Sequence, residues 1–243
     1  MLEDKIRDFA RARGADLVGF AAAADLAAAP EGFRPRDIMP QAKGVVVMAK
    51  AQPRGTVAAG NQVVYTAQHT NIMRHLDELA RAVAVFIEAK GWLAVPVPAD
   101  DPYFHWEEDR KHGMGILSHR HAAVKAGLGV IGKNALLITP QYGNRVELVS
   151  ILTDAAFTPP AAAAGPCPPT LASVLTDRSF APIAAELCPP ECRLCLDACP
   201  VGALDGSRSV AQIKCRGNLA VKSPRGHNLV KCWQCRAACP SKG

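Results

Sequence analysis

Eight of the nine cysteines lie in the last quarter of the chain, where they form two sets of similar spacing. Both sets close with the same phrase, in which two cysteines separated by three residues are followed by proline, at 195–200 and at 235–240. This ending is typical of bacterial ferredoxins that hold two clusters, because the cysteine before the proline ligates the other cluster. The spacing therefore predicts two four-iron four-sulfur (4Fe-4S) clusters and electron transfer in one-electron steps.

The ligands divide into two groups, because a short C-x2-C turn aims two sulfurs at one cluster. We assign the first cluster to Cys188, Cys192, Cys195 and Cys239, and the second to Cys199, Cys215, Cys232 and Cys235. The first ligand of each set departs from the ferredoxin repeat, since three residues separate Cys188 from Cys192 and Cys215 lies far upstream of Cys232. Zinc ribbons and disulfides are the alternatives, but zinc favours two separated C-x2-C pairs and a disulfide framework favours a short secreted chain.

Composition and charge limit the location and the partners. The 243 residues can form a full core and a second small domain. The chain has no run of 18 apolar residues and begins with a charged amphipathic stretch, so the sequence predicts a cytoplasmic protein without a membrane segment. The formal net charge of +6 lies mostly after residue 180, where nine Lys and Arg face four Asp and Glu. Two oxidised clusters with their thiolates carry about −2 each. We therefore interpret the excess as charge compensation, with a phosphate-binding surface as the second choice, and expect no nucleic-acid partner.

The order of helical and strand-like segments predicts an α+β fold. Residues 1–13 predict a helix, 17–20, 43–50 and 92–97 predict strands, and 71–90 predict a long helix by its apolar period. Residues 99–121 form an irregular, His-rich stretch, 118–126 predict a short helix, and 134–139 and 145–153 predict strands joined in a hairpin. We expect an α+β domain over 1–157, a Pro/Ala-rich linker over 158–180 that contains Cys167, and a ferredoxin-like domain over 181–243.

A glycine-rich segment at 127–134 matches the G-x-G-x-x-G template, and it matches the P-loop template except for Asn134. Both templates need a strand before the glycines and a helix after them, because phosphate binds at the helix N-terminus. The order predicted here is the reverse. A ferredoxin-type carrier with a nucleotide-binding head therefore stays only as a third alternative.

Residues 121–154 resemble the corrinoid-binding core of epoxyqueuosine reductases, whose relatives are the corrinoid-dependent reductive dehalogenases. The cysteine segment fits the same resemblance, including the isolated Cys215. The resemblance implies a nitroreductase-like domain that holds a cobalamin without its lower base, with one cluster close to the corrin. It implies cofactor contacts from Ser118, Gly127, Gly129, Val130, Ile131, Gly132, Lys133, Asn134 and Leu137. The alternative is that the glycines only allow a tight turn between helix and strand.

The chain departs from this family where a proton-donating aspartate is expected, because Gly113 stands at that position. His112, His119 and His121 are alternative proton donors with a suitable ordinary pKa, and one of the last two could instead be an axial cobalt ligand. Further acids in the same stretch could also substitute, namely Asp100, Asp101, Glu107, Glu108 and Asp109. The family has a further sequence motif near the start of the long helix. This chain retains only Tyr65 of that motif, and we count Tyr65 among the candidate catalytic residues.

The chain has no counterpart of the C-terminal extension that epoxyqueuosine reductases place against tRNA, and no twin-arginine signal, so we expect a short cytoplasmic branch of the superfamily. The leading hypothesis is an oxidoreductase whose clusters pass electrons to a base-off corrinoid, giving cob(I)alamin for reduction of a small substrate. An external low-potential donor such as ferredoxin or flavodoxin would supply the electrons. The alternative is an electron-transfer protein that reactivates a partner corrinoid protein.

Overall fold

The computed structural model describes residues 1–109, 111–158, 185–230 and 232–241. Cys167 and nearly all of the predicted linker lie outside these ranges. All eight proposed cluster ligands lie within them.

A four-stranded antiparallel sheet forms the centre of the protein. Its strand order is β1 (Leu17–Ala22), β2 (Gly44–Ala51), β8 (Val146–Thr153) and β3 (Ala94–Val97). Successive side chains point to opposite faces of a strand, and both faces are apolar here: Val45 and Val47 of β2 join one core cluster, while Val46 and Met48 join the other. The sheet is therefore covered on both sides, as its apolar runs predicted.

Helices cover the two faces. Helix α1 (Leu2–Ala12) and the long α4 (Gln62–Glu88) pack on one face, and α5 (His119–Lys125) packs on the other. Short helices α2 (Pro35–Ile38) and α3 (Arg54–Ala58) and a 3-10 turn (Ala23–Leu26) complete this half. Helix α4 begins well before residue 71, the predicted start, because Asn61 caps it by accepting hydrogen bonds from the backbone N–H groups of Val63 and Val64.

Two small hairpins lie outside the central sheet. One joins β4 (His105–Glu107) to β5 (His112–Met114) within the stretch that we expected to be irregular. The other joins β6 (Val130–Ile131) to β7 (Leu137–Ile138). The predicted pairing of 134–139 with 145–153 is wrong, because β7 pairs with β6 while β8 enters the central sheet between β2 and β3.

The cysteine segment contains α6 (Leu194–Asp197), α7 (Gln212–Leu219), the hairpin of β9 (Ala220–Lys222) and β10 (Asn228–Val230), and α8 (Gln234–Ala238). It is joined to the long helix by the backbone N–H of Val230, which donates a hydrogen bond of 2.7 Å to Thr66 Oγ1 of α4. The mixed helices and local antiparallel sheets agree with the predicted α+β class. Among the described residues, no helix combines the length and the apolar character that crossing a membrane requires.

Candidate functional site: two cysteine groups beside a large cavity

The first cysteine group is assembled from both ends of the cysteine segment. One small cavity is lined by Cys188, Cys192, Cys195 and Cys239 together with Lys133 and Asn134. The group therefore combines three cysteines of the first motif with the last cysteine of the second, as in the assignment made from spacing. All eight described cysteines are free thiols, so no disulfide joins any of them.

The second group consists of Cys199, Cys215, Cys232 and Cys235, which lie close enough to raise one another's pKa by charge repulsion. Burial raises the pKa of Cys215, and repulsion from Cys232 and Cys199 raises it further. Burial likewise raises the pKa of Cys235 to about 12, with added repulsion from Cys232 and Cys215. Cys195 of the first group also acts on Cys235, so the two groups adjoin.

These raised pKa values describe thiols that keep their protons at neutral pH unless a cation is bound. Burial raises the pKa of Cys239 to about 11, and repulsion from Cys195 and Cys188 adds to the effect. A thiolate is the form that ligates metal, and metal binding releases the proton. Two thiols of each group, Cys195 and Cys239 in the first and Cys215 and Cys235 in the second, thus have raised pKa values, which fits metal ligands better than isolated reactive cysteines.

Two donors from the glycine segment reach the first group. The backbone N–H of Lys133 donates to Cys188 Sγ at 3.5 Å, and the Lys133 ammonium bonds to the backbone carbonyls of Pro189 and Cys192. The side chain of Asn134 is only 4% exposed, and its Nδ2 has no hydrogen-bond partner among the described residues. An unpaired buried donor costs roughly 1–3 kcal/mol, and the sulfur of a bound cluster is an acceptor that would offset this cost.

The glycine segment lies beside the first cysteine group. Lys133 and Asn134, two of the expected corrin contacts, line the thiol cavity, and Val130 packs with Ile138, Cys188 and Cys239. A Cβ at Gly129 would collide with the backbone carbonyl of Ile138 in the facing strand. Gly129 therefore allows the close approach of the β6–β7 hairpin. With α5 before the glycines and β7 after them, the order is the reverse of a nucleotide-binding turn.

A cavity of about 770 Å³ lies beside the second group. Its wall includes Cys215, so one proposed cluster ligand borders this space directly. Cofactor and ligand pockets occupy about 300–1,000 Å³, so the volume suits a large cofactor. Of the contacts that the resemblance implies, Ser118 and Leu137 line this cavity, and the described residues from 127 to 134 do not.

His119 lines the cavity, but both of its ring nitrogens are engaged. Nδ1 lies 2.8 Å from Ser150 Oγ, and Nε2 lies 2.8 Å from the carbonyl oxygen of Pro98, to which it donates. Burial lowers the pKa of this imidazole, so it is neutral at neutral pH. These contacts position the start of α5 and leave no free ring nitrogen for proton transfer.

His121 also lines the cavity and is more available. Its Nδ1 lies 2.6 Å from Ser118 Oγ, and Nε2 has no hydrogen-bond partner among the described residues. Burial, with repulsion from Arg120 and Lys125, lowers the pKa of His121 to about 4. A neutral imidazole of this kind is a proton acceptor or a ligand at pH 7 rather than an acid.

The sequence interpretation missed His69 and Glu147, which face the same cavity. The two side chains come from α4 and β8, and His69 Nδ1 lies 3.7 Å from Glu147 Oε1. Burial lowers the pKa of His69, but attraction to Glu147 outweighs burial, so the net pKa is raised. Because no local spacing links residues on two separate elements, the only sequence signal was the nearness of His69 to Tyr65.

The other two candidate catalytic residues do not line the described wall of the cavity. Tyr65 is buried against Trp233, with ring centroids 5.7 Å apart, where α4 meets the cysteine segment. His112 lies on the β4–β5 hairpin beside Glu107. At Gly113, where the resemblance expects an acid, a Cβ would lie 3.0 Å from both Arg216 and Trp106. The space of an acidic side chain is thus already filled.

The chain is similar in sequence to enzymes of two kinds, although no family model matches it. It is 24% identical over 284 residues to an epoxyqueuosine reductase of Bacillus subtilis, covering 98% of this chain and 63% of the relative. It is 27% identical over 173 residues to a tetrachloroethene reductive dehalogenase of Dehalobacter restrictus, covering 71% of this chain and 24% of the relative. The chain thus spans just under two thirds of the epoxyqueuosine reductase.

Solved structures of both kinds share the fold. An epoxyqueuosine reductase determined with a modified tRNA-Tyr stem loop matches with a TM-score of 0.60 at 21% identity, over 99% of this chain and 65% of that chain. A reductive dehalogenase described as suggesting a mechanism for B12-dependent dehalogenation matches with a TM-score of 0.54 at 21% identity, over 82% of this chain and 25% of that chain. Sequence and fold therefore agree in relating this chain to epoxyqueuosine reductases and reductive dehalogenases.

Proposed function

We propose that the protein is an oxidoreductase in which two 4Fe-4S clusters pass electrons to a corrinoid held in the large cavity. The observation that carries this proposal is that Cys215, a member of the second cysteine group, lines the 770 Å³ cavity. A cluster at this group would border whatever the cavity binds. An electron entering at either group would then have a short route to the cavity, since the groups adjoin.

The cysteines fit two clusters by number, grouping and chemistry. Each group offers four thiols, the number of ligands that a 4Fe-4S cluster takes. The backbone N–H of Lys133 donates to Cys188 of the first group, and Asn134, whose buried Nδ2 has no hydrogen-bond partner among the described residues, lines the same cavity. Hydrogen bonds to cluster sulfur are one of the means by which a protein sets the reduction potential.

The cavity fits a large cofactor with amide side chains. Its wall combines apolar groups such as Ile116 and Leu117 with charged groups of both signs, including Arg120 and Arg216. A corrinoid bound there would supply a strongly reducing cobalt centre for the reduction of a small substrate. We propose Ser118 and Leu137 as contacts to it, and His121 as a neutral imidazole able to ligate the metal through Nε2.

His69 is the proton donor that this arrangement favours. Its raised pKa keeps it protonated closer to neutral pH than His121, whose pKa is about 4, and unlike His119 it is not committed at both nitrogens. Glu147 stabilises its charged form. A proton donor at His69 of α4 would replace the aspartate that is expected at position 113, where this chain has glycine.

A second candidate function is the reduction of a corrinoid that belongs to a partner protein. Gly113 favours it, because the acid used for chemistry on a bound substrate is absent there and its space is filled by Arg216 and Trp106. In either function, an external low-potential donor such as ferredoxin or flavodoxin would supply the electrons. A tRNA substrate, as in the epoxyqueuosine reductase structure, is the further possibility that assays of substrate turnover would test.

The test is anaerobic single-turnover reduction of cob(II)alamin by protein whose clusters were reduced beforehand and freed of reductant. We expect cobalt reduction by the parent protein and its loss in Cys215→Ser, which removes a ligand beside the cavity. Cys239→Ser is the matched control, because it removes a ligand of the first group and leaves the group at the cavity intact. The iron content of each variant shows how much cluster is lost, and its corrinoid affinity shows whether the cavity still binds the cofactor. Equal rates in the two variants would contradict the proposed route.

The two candidate functions differ in whether the corrinoid stays bound to this protein. A corrinoid that stays bound during reduction and is consumed by a small-molecule acceptor supports the enzyme. Reduction that occurs only when a second corrinoid protein is added supports the activator.

A further inference from the structure

Three potential metal ligands lie together on the β4–β5 hairpin, and none of them belongs to either cysteine group. His105 and Glu107 belong to β4, and His112 belongs to β5. Residues two apart on a strand share a face, and Glu107 is paired directly with His112 across the hairpin. The register therefore brings His105, Glu107 and His112 to one face.

The distances between the ligand atoms suit one ion. His105 Nε2 lies 2.9 Å from Glu107 Oε1, and His112 Nδ1 lies 3.9 Å from the same oxygen. All three ligand atoms lie within 4.8 Å of one another. Metal bonds of about 2.0–2.1 Å in a tetrahedral site place neighbouring ligand atoms roughly 3.3 Å apart, and the observed pairs bracket this spacing.

We propose that His105, Glu107 and His112 bind a divalent transition-metal ion, for which zinc is the probe. Two imidazoles and one carboxylate are donors that zinc accepts readily, whereas magnesium and calcium prefer oxygen ligands. With three protein ligands, a fourth position stays open to water or to an anionic group. The three side chains are 37–44% exposed, so an ion can reach them from solution.

The ion would fix the wall of the large cavity. Gly113 and Met114 of β5 line that cavity, and the opposite face of the hairpin places Trp106 under the Arg216 guanidinium, 5.1 Å from its ring centroid. Arg216 follows the cluster ligand Cys215 directly. A metal that cross-links β4 to β5 therefore holds the segment between solvent and the second cysteine group. This inference does not depend on the proposed function, because it uses none of the cluster or cavity chemistry.

Zinc binding to the cluster-loaded protein tests the proposal. Loaded clusters occupy the cysteines, so we expect one additional zinc, measured by isothermal titration and by elemental analysis after gel filtration. X-ray absorption at the zinc edge should show nitrogen and oxygen ligands. His112→Ala and Glu107→Gln should each weaken zinc affinity by at least about 10-fold. His227→Ala, which removes an exposed histidine in the β9–β10 turn, should leave the affinity unchanged.

Three results would overturn the site. They are the absence of zinc binding by the parent protein, equal affinity in the His112 and His227 variants, and a zinc spectrum dominated by sulfur. The last would place the ion on cysteines. Because the hairpin lies outside the central sheet, circular dichroism of each variant should match the parent, and this separates lost ligands from lost folding.

Discussion

The guanidinium of Arg236 and the carboxylate of Glu147 form an ion pair at 2.9 Å, with only 6% and 14% of their side chains exposed. Arg236 lies in α8 between the cluster ligands Cys235 and Cys239, and Glu147 lies in β8 of the central sheet. Gln52 of the neighbouring loop donates a further hydrogen bond of 2.7 Å to the same Glu147 oxygen. The pair thus fixes the cysteine segment on the sheet and supports the wall of the large cavity.

The first prediction is that Glu147→Gln destabilises the protein strongly. It would leave the Arg236 cation buried without its partner, which costs about 3–5 kcal/mol. For a protein of this size, we expect the apparent unfolding temperature of the cluster-loaded protein to fall by roughly 10 °C. Asp197→Asn is the control, because it removes an ion pair with Arg193 whose side chains are 68% and 64% exposed, and its shift should be under about 2 °C. Equal shifts would show that the buried pair is not a structural link.

The second prediction concerns the charge of His69. Its pKa is raised because Glu147 outweighs burial, so the ion pair stabilises the fold below the ordinary histidine pKa and this contribution is lost as pH rises through the raised value. Glu147→Gln should reverse the direction, leaving burial to lower the His69 pKa below 6.5. Titration of labelled histidine resonances, assigned with His69→Gln, measures both values. A His69 pKa that is unchanged by Glu147→Gln would contradict the pairing.

The third prediction concerns His121, whose pKa is lowered, whereas that of His69 is raised. Its pKa is lowered from 6.5 to about 4, so its contribution to stability is complete above pH 6.5 and is lost as pH falls towards 4. His121→Gln should therefore lose less stability than the parent between pH 7 and pH 5. Unfolding temperatures of the two proteins across this range provide the measurement, with His227→Gln as an exposed control. Parallel curves for parent and His121→Gln would show that the imidazole is not held neutral.

The fourth prediction is that Asn134 raises the potential of the first cluster. Asn134 lines the cavity of that cysteine group, and its buried Nδ2 has no hydrogen-bond partner among the described residues. We expect Nδ2 to donate to cluster sulfur, and such a hydrogen bond favours the more negative, reduced cluster. Asn134→Leu should make this potential more negative by roughly 40 mV, which corresponds to about 1 kcal/mol for one electron. Electrochemical titration followed by electron paramagnetic resonance (EPR) reports both clusters. The second cluster is the internal control, and an equal shift of both would contradict a local hydrogen bond.

The sequence predicted much of the scaffold because its signals are local. The apolar runs of β2 and β8 depend on side chains close in sequence, and both strands formed as expected, with nearly continuous burial along β8. The grouping of Cys239 with Cys188 was also predictable, since the C-x3-C-P ending carries its own pairing rule.

What the sequence could not predict depends on contacts between distant elements. The pairing of β7 with β6 rather than β8 follows from where β8 enters the sheet, and local alternation does not encode this. His69 and Glu147 are 78 positions apart in the sequence, and they approach each other because α4 packs on the sheet. Gly129 matched a nucleotide-binding template, and no local pattern predicted its close approach to Ile138, which leaves no room for a Cβ.

The most direct test of the central claim is an anaerobic EPR titration of cluster-loaded protein with cob(II)alamin, following the nitrogen splitting from the lower base. The account predicts that this splitting disappears at one equivalent, because the protein binds the corrinoid in the large cavity without its lower base. A spectrum identical to that of free cob(II)alamin would contradict a corrinoid site and leave a two-cluster electron carrier.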